Sequence, residues 1–106
     1  MNINYSEKEK ILNIEITEEI DHHGVEMIRK VVDDEITKVM PRKIIFDFGK
    51  VTFMDSAAIG MLIGRYKMAK MLGGSVEIIN LKQGMKKILE MSGVLKIIPA
   101  KLLESV

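Results

Sequence analysis

The hydrophobic period of this sequence changes repeatedly along the chain, and the order of these changes restricts the fold more than any other feature. Apolar residues alternate with polar ones over residues 3–5 and 12–16, which predicts two strands joined by a polar hairpin connection. After Asp21 the apolar spacing becomes three or four residues, which predicts a helix over residues 22–40. Asp21 is expected to act as its N-cap, and Pro41 to end it.

The rest of the chain repeats one pattern, a short apolar strand followed by a helix. We predict strands over residues 43–48, 76–79 and 96–98, and helices over residues 56–72 and 83–92. Glycines follow both helices and suit left-handed C-caps. The residues from Pro99 onward are expected to form a tail with some helical tendency.

This order of elements predicts an α/β fold. Strands separated by helices pair in parallel through right-handed crossovers, whereas the opening hairpin adds an antiparallel edge. The outward positions of several strands are polar, among them Asn4, Asn13 and Glu77. We therefore predict a single domain over residues 1–106, with a mixed, mostly parallel sheet, an antiparallel N-terminal hairpin and helices mainly on one face.

The composition excludes several classes of function. The chain has 106 residues, no cysteine and a formal net charge of +1, so it has no disulfides and no excess of basic residues for nucleic acid. It contains no stretch of the ~20 apolar residues that a membrane span needs. The N-terminus lacks the features of a signal peptide. We expect a cytoplasmic domain that contacts neither nucleic acid nor membrane.

The sequence also lacks the common motifs of catalysis and cofactor binding. There is no P-loop, no GxSxG and no GxGxxG after a strand. His22 and His23 are adjacent, and neighbours on a helix point about 100° apart, so they do not form the pair that holds zinc. We expect no cofactor and no metal.

The segment 53–60, Phe-Met-Asp-Ser-Ala-Ala-Ile-Gly, is the most informative part of the chain. It places the Ser56 hydroxyl at a strand-to-helix turn, on the sheet edge where parallel α/β domains usually carry function. Ser56 by itself is most simply interpreted as an N-cap. Its helical spacing, however, puts it on one stripe with other candidate surface residues, namely Gly60, Ile63, Lys67 and Lys70.

Apolar residues cover most of the remaining circumference of this helix. Such a pattern fits either an adaptable docking surface or a helix wedged between the sheet and other helices. Gly60 and Gly64 likewise permit either the close approach of a partner or tight packing of the helix on the sheet.

Several separated blocks of the chain resemble one family. Residues 53–56, 59–60 and 64–67 resemble the core signature of the anti-sigma factor antagonists, the STAS-domain family. Within it, the likeness is to the sporulation antagonists that release sigma-F. Four further blocks support the match, namely residues 20–23, 73–74, 91–93 and 96–98.

The resemblance implies a protein switch without catalytic activity of its own. In this family an anti-sigma factor that is also an ATP-dependent serine kinase phosphorylates the serine after the aspartate. The unphosphorylated antagonist binds that kinase and frees the sigma factor, and a PP2C-type phosphatase resets it. By position Ser56 is the phosphoacceptor, and the implied partner-binding residues are Asp21, Asp55, Ser56, Ala57, Gly60, Ile63 and Lys67.

The sequence departs from the family directly after Ser56, and its charge is distributed unevenly between the two halves of the chain. Ala57 and Ala58 stand where the family often has serine and glycine, which leaves Ser56 as the one hydroxyl there. Residues 1–53 carry a net charge of −3 and residues 54–106 a net charge of +4. With Arg65, Lys67 and Lys70 on the helix that Ser56 opens, this asymmetry is expected to orient the domain on its kinase.

Two other functions are compatible with parts of the sequence. A STAS scaffold subunit of a stress-signalling assembly would share the fold but act by forming oligomers. A serine hydrolase would use Ser56 as nucleophile with His22 or His23 as base, which requires a nitrogen within ~3 Å of the hydroxyl.

Overall fold

A computed structural model describes residues 1–104. Its strands and helices follow in the order β1 (Asn2–Ser6), β2 (Ile11–Glu15), α1 (Val25–Val39), β3 (Lys43–Asp47), α2 (Ala57–Met71), β4 (Ser75–Leu81), α3 (Gln83–Ser92) and β5 (Ala100–Leu102). A 3-10 turn, Val94–Lys96, connects α3 to β5.

The five strands form one sheet in the order β1-β2-β3-β4-β5. β1 pairs antiparallel with β2, and the other neighbours pair in parallel, which confirms the predicted mixed sheet. The register places apolar side chains opposite one another on one face, for example Ile14, Phe46 and Ile78, which are all fully buried. Burial of each such side chain contributes roughly 1.5–3 kcal/mol.

The opposite face of the sheet is covered much less. Asn13, Glu15 and Asp47 lie there half-buried, beside the exposed Asn4 of the edge strand. The helices therefore cover mainly one face, as the polar outward positions predicted. No helix within residues 1–104 is both long and apolar enough to cross a membrane.

The first helix begins later than its sequence predicts. Asp21 accepts hydrogen bonds at Oδ1 from the backbone N–H groups of His23 (3.1 Å) and Gly24 (2.7 Å), so its carboxylate caps a turn. The helix itself starts at Val25, and Gly24 is its N-cap without a side-chain bond. At the other end Met40 is left-handed (φ 51°) just before Pro41, as expected of a residue that proline keeps out of helical geometry.

The prediction for the C-terminal strand is wrong. Residues 96–98 do not form a strand, because Gly93 (φ 82°) leads into the 3-10 turn and Val94 and Ile98 fill the core. The strand lies at Ala100–Leu102, in the segment predicted to be a partly helical tail. The segment Lys96-Ile97-Ile98 is too short for its hydrophobic period to distinguish a strand from a turn.

Candidate partner-binding site

Two crossover connections meet at the end of the sheet and form the site. An isolated parallel bridge joins Ile20, after β2, to Met54, after β3. The Ile20 N–H donates to the Phe53 carbonyl at 3.0 Å, and the Asp55 N–H donates to the Ile20 carbonyl at 3.1 Å. These bonds hold the turn that begins at Asp21 beside the segment that leads into α2.

Asp55 links both connections through its carboxylate. Oδ1 accepts the N–H of Ala57 at 2.8 Å, while Oδ2 accepts the N–H of His22 at 3.3 Å and lies 3.2 Å from His22 Nδ1. The hydrogen bond from Ala57, followed by that from His22, lowers the pKa of Asp55 below its ordinary value of 3.8. Asp55 is therefore ionised at neutral pH and acts as the cap of α2.

Ser56 is exposed at the first position before α2, and its side chain makes no capping hydrogen bond. Ser56 occupies the N-cap position, as its interpretation as an N-cap expects, but its hydroxyl does not cap the helix, because Asp55 supplies the acceptor for the Ala57 N–H. The next two backbone donors are also paired, Ala58 N–H with the Asp55 carbonyl and Ile59 N–H with the Ser56 carbonyl, both at 3.1 Å. The hydroxyl is thus presented to solvent beside a helix end whose first donors are occupied.

The stripe that follows Ser56 on α2 faces outward. Gly60, Lys67 and Lys70 are exposed, and Ile63 is half-buried. A Cβ atom built on Gly60 or Gly64 meets no atom within 4 Å, so tight packing on the sheet does not explain these glycines. The glycines instead leave a shallow, open surface on the helix.

The opposite flank of α2 is packed inside the protein. Its buried residues are Ala58, Met61, Leu62, Arg65 and Ala69. The apolar residues of α2 have two interpretations, a docking surface or packing between the sheet and other helices. For this flank the packing interpretation is therefore correct. On the outward side, which contains the exposed Gly60 and the half-buried Gly64, the interpretation as a docking surface stays a prediction.

Arg65 does not belong to the exposed basic surface. Its side chain is 8% exposed, and Nε lies 2.9 Å from Asp33 Oδ1 on α1 in an ion pair. Nη2 donates to Asp33 Oδ2 at 3.4 Å, and Nη1 donates to the Met61 carbonyl at 3.2 Å. The cations that α2 shows to a partner are thus Lys67 and Lys70, the latter 5.5 Å from the centre of the Tyr66 ring.

The predicted partner residues fall into two groups. The first group lies where the two crossover connections join and consists of Asp21, Asp55, Ser56 and Ala57. The second group lies further along α2 and consists of Gly60, Ile63 and Lys67. Lys67 is eleven positions after Ser56, or about 16 Å along the helix at 1.5 Å per residue. The structure therefore gives one elongated surface that runs from the crossover junction along α2.

The histidines do not support a hydrolase. His22 Nδ1 lies 3.2 Å from Asp55 Oδ2, and the His22 and His23 rings contact each other with centroids 4.1 Å apart and planes tilted by 38°. Among the hydrogen bonds of residues 1–104, none joins Ser56 Oγ to either ring. The same part of the chain contains no cluster of three or more histidine, aspartate or glutamate side chains arranged for a metal.

Comparison with known proteins identifies the family. The family model for the STAS domain matches residues 2–106. The chain therefore belongs to the STAS-domain family, among the anti-sigma factor antagonists. An anti-sigma F factor antagonist of Paenibacillus polymyxa is 32% identical over 84% of this chain and 76% of its own length. An anti-sigma-B factor antagonist of Bacillus subtilis is 26% identical over 92% and 88%.

Solved structures agree with this assignment. The anti-sigma factor antagonist SpoIIAA in its unphosphorylated form superposes with a TM-score of 0.79 at 25% identity, over 93% of this chain and 85% of that one. The phosphorylated form of the same Bacillus cell-fate determinant gives 0.70 at 26% identity, over 93% and 88%. The expected family and fold are confirmed.

Sequence reasoning missed two parts of the site. The pairing of His22 with Asp55 joins residues 33 positions apart, and the interpretation of the histidines as first-turn helix residues gave no reason to connect them. The buried Asp33–Arg65 pair likewise depends on how α1 packs on α2. Neither pair has a signature in local spacing.

Proposed function

We propose that this protein is an anti-anti-sigma factor switched by phosphorylation of Ser56. In the unphosphorylated state it binds an anti-sigma factor that is also a serine kinase, and so releases a sigma factor. The observation that carries the proposal is the exposed Ser56 hydroxyl, which no capping bond engages and which opens the outward face of α2. The named relatives, antagonists of anti-sigma factors, support it.

The modification is a phosphoryl transfer in which this protein is the substrate. Ser56 Oγ attacks the γ-phosphorus of ATP held by the kinase, the bond to ADP breaks, and the hydroxyl proton passes to a base of the kinase. A PP2C-type phosphatase would hydrolyse the phosphoester and restore the binding form.

The phosphate acts by charge at the partner surface. It adds about −1.5 to −2 charges at neutral pH. The first backbone donors of α2 are already paired, and the Asp55 carboxylate lies next in sequence, so the phosphate gains little from the helix end and adds to an existing negative charge. The backbone has no reason to rearrange, and the surface that met the kinase becomes repulsive to it.

Two matched variants test the proposal in binding and phosphorylation assays with an anti-sigma factor kinase. Ser56→Ala is expected to bind the kinase as the wild type does and to gain no phosphate by mass spectrometry. Ser56→Asp is expected to bind at least about tenfold more weakly, which corresponds to 1.4 kcal/mol. Tight binding by Ser56→Asp, or phosphate on Ser56→Ala, would contradict the proposal.

Two further measurements separate this proposal from its alternatives. Amide NMR shifts on phosphorylation are expected to stay near residue 56, whereas widespread shifts would indicate a conformational switch. Sedimentation at micromolar concentration distinguishes a phosphorylated switch from a scaffold subunit, because a scaffold forms a stable oligomer.

A further inference from the structure

A groove near Ser56 along the chain is lined by none of the predicted partner residues. It has a volume of about 380 Å³ and lies between the segment that leads into α2 and the first turns of α3. Its main lining residues are Phe53, Met54, Lys82, Gly84, Met85 and Ile88. The floor is apolar, and Phe53 is 50% exposed, an unusual position for a phenylalanine.

The groove is continuous with the candidate partner-binding site. Phe53 and Met54 line it and immediately precede Asp55 and Ser56 in the same segment. That segment is fixed by the bridge to Ile20, so the groove and the Ser56 hydroxyl keep one relative position. A protein that covers Ser56 therefore passes over or beside the groove.

The groove has one lysine in its lining, and a second lysine is exposed nearby on α3. Lys82 lines it and donates one Nζ hydrogen bond to the Val51 carbonyl at 2.9 Å, which leaves two of its three donors for a ligand. Lys87 is exposed three positions after Gly84 and so on a neighbouring part of the helix surface. The first turn of α3 has no acidic residue, and Glu90, the acidic residue of this helix, pairs with Lys86 at 3.6 Å.

We propose that this groove is a docking site for an apolar side chain flanked by acidic residues in a protein partner. The apolar floor receives the side chain, Phe53 offers an aromatic face to it, and the lysines attract the acidic flanks. The identity of the partner as the anti-sigma factor kinase rests on the proposed function. The chemistry of the docking segment rests on the groove alone.

A peptide titration tests the chemistry directly. The probe is the capped hexapeptide DEFLED, added to the full chain labelled with ¹⁵N. Saturable shifts are expected for the amides of Phe53, Met85 and Ile88. The peptide with both apolar residues replaced by alanine, and the peptide with its acidic residues replaced by lysine, are expected to cause no such shifts. Equal binding of all three peptides, or shifts confined to other regions, overturns the proposal.

A groove-filling variant provides the matched test on the protein. A Cβ atom at Gly84 meets nothing within 4 Å, so Gly84→Met fills the groove without a backbone clash. Its peptide affinity is expected to fall about tenfold or more, as for the loss of a central anchor. Gln83→Met, at the exposed neighbouring position, adds the same side chain outside the lining and is expected to bind as the wild type does. Both variants are expected to keep the wild-type melting temperature or exceed it, since methionine favours a helix more than glycine does.

The kinase then separates this proposal from the proposed function. Gly84→Met is expected to bind the kinase more weakly while Ser56 still accepts phosphate at saturating protein. Wild-type kinase binding by Gly84→Met, with Ser56→Ala still unphosphorylated, overturns the kinase as the occupant of the groove and leaves the switch intact. Specific peptide binding without phosphorylation of Ser56 overturns the switch and supports the groove.

Discussion

The two flanks of α2 have opposite relations to the rest of the protein. The inward flank is packed closely, with Leu62 fully buried and Arg65 paired with Asp33. The outward flank contains two glycines whose Cβ positions would be empty space. A helix does not need glycine for its own stability, and each one costs roughly 0.5–1 kcal/mol relative to alanine. The inward flank thus serves folding, and the outward flank retains residues that folding disfavours.

The largest expected effect lies on the inward flank. Leu62→Ala is expected to lower the free energy of unfolding by about 2–5 kcal/mol, because it removes fully buried methyl groups and leaves a cavity. Urea unfolding followed by circular dichroism measures it. The neighbouring Ile63→Ala, at a half-buried outward position, is the control and is expected to cost no more than about half as much. Equal losses for both variants would remove the distinction between the flanks.

The next largest effect is an increase in the free energy of unfolding. Gly60→Ala and Gly64→Ala are each expected to stabilise the protein by about 0.5–1 kcal/mol, because the added methyl group meets no atom and restricts the unfolded chain. The same variants are expected to weaken binding to the kinase by blocking its close approach. Calorimetric unfolding and binding titration measure the two effects. A destabilised variant, or one with unchanged kinase affinity, would argue against an outward flank kept open for a partner.

The smallest effect concerns the N-terminal end that both flanks share, where Asp55 accepts the Ala57 N–H. Its pKa in the folded protein lies below 3.8, so its contribution to stability is present above that pH and is lost as the pH falls through the folded-state value. Asp55→Asn is therefore expected to melt below the wild type at pH 7 and to approach it as the pH falls below 3.8. A difference in melting temperature that stays constant down to pH 2 would show that the carboxylate charge is not the cause.

The sequence predicted elements well where many residues share one period. The helix over residues 56–72 agrees with α2 to within one residue at each end, because the Gly73 cap (φ 74°) and the strand-to-helix turn mark its limits. The short strand near the C-terminus was misplaced, since a segment of three residues with two apolar side chains shows no period. For the candidate site, spacing placed Ser56 and its outward stripe correctly.

Spacing could not show which polar group satisfies which donor. At the start of α2 the acceptor for the Ala57 N–H is the Asp55 carboxylate and not the Ser56 hydroxyl. Before α1 the Asp21 carboxylate accepts the Gly24 N–H in a turn, so the helix begins later than predicted. Arg65 carries a charge, and a charged residue on a helix surface is expected to be exposed. Its burial depends on Asp33 on another helix, which no local pattern specifies.

The bridge between Ile20 and Met54 has a consequence for how such a domain can vary in length. It fixes the two crossover connections in a single register, so a residue inserted into either one would shift both Asp21 and Asp55 from their bonding positions. In the exposed turn at residues 7–10, the Lys10 carbonyl accepts the N–H groups of Arg42 (2.8 Å) and Lys43 (3.2 Å), whereas Glu7 and Lys8 at the tip take part in no such link to another strand within residues 1–104. Insertions and fused tags are therefore tolerated at the hairpin tip, whereas the connections that present Ser56 must keep their length.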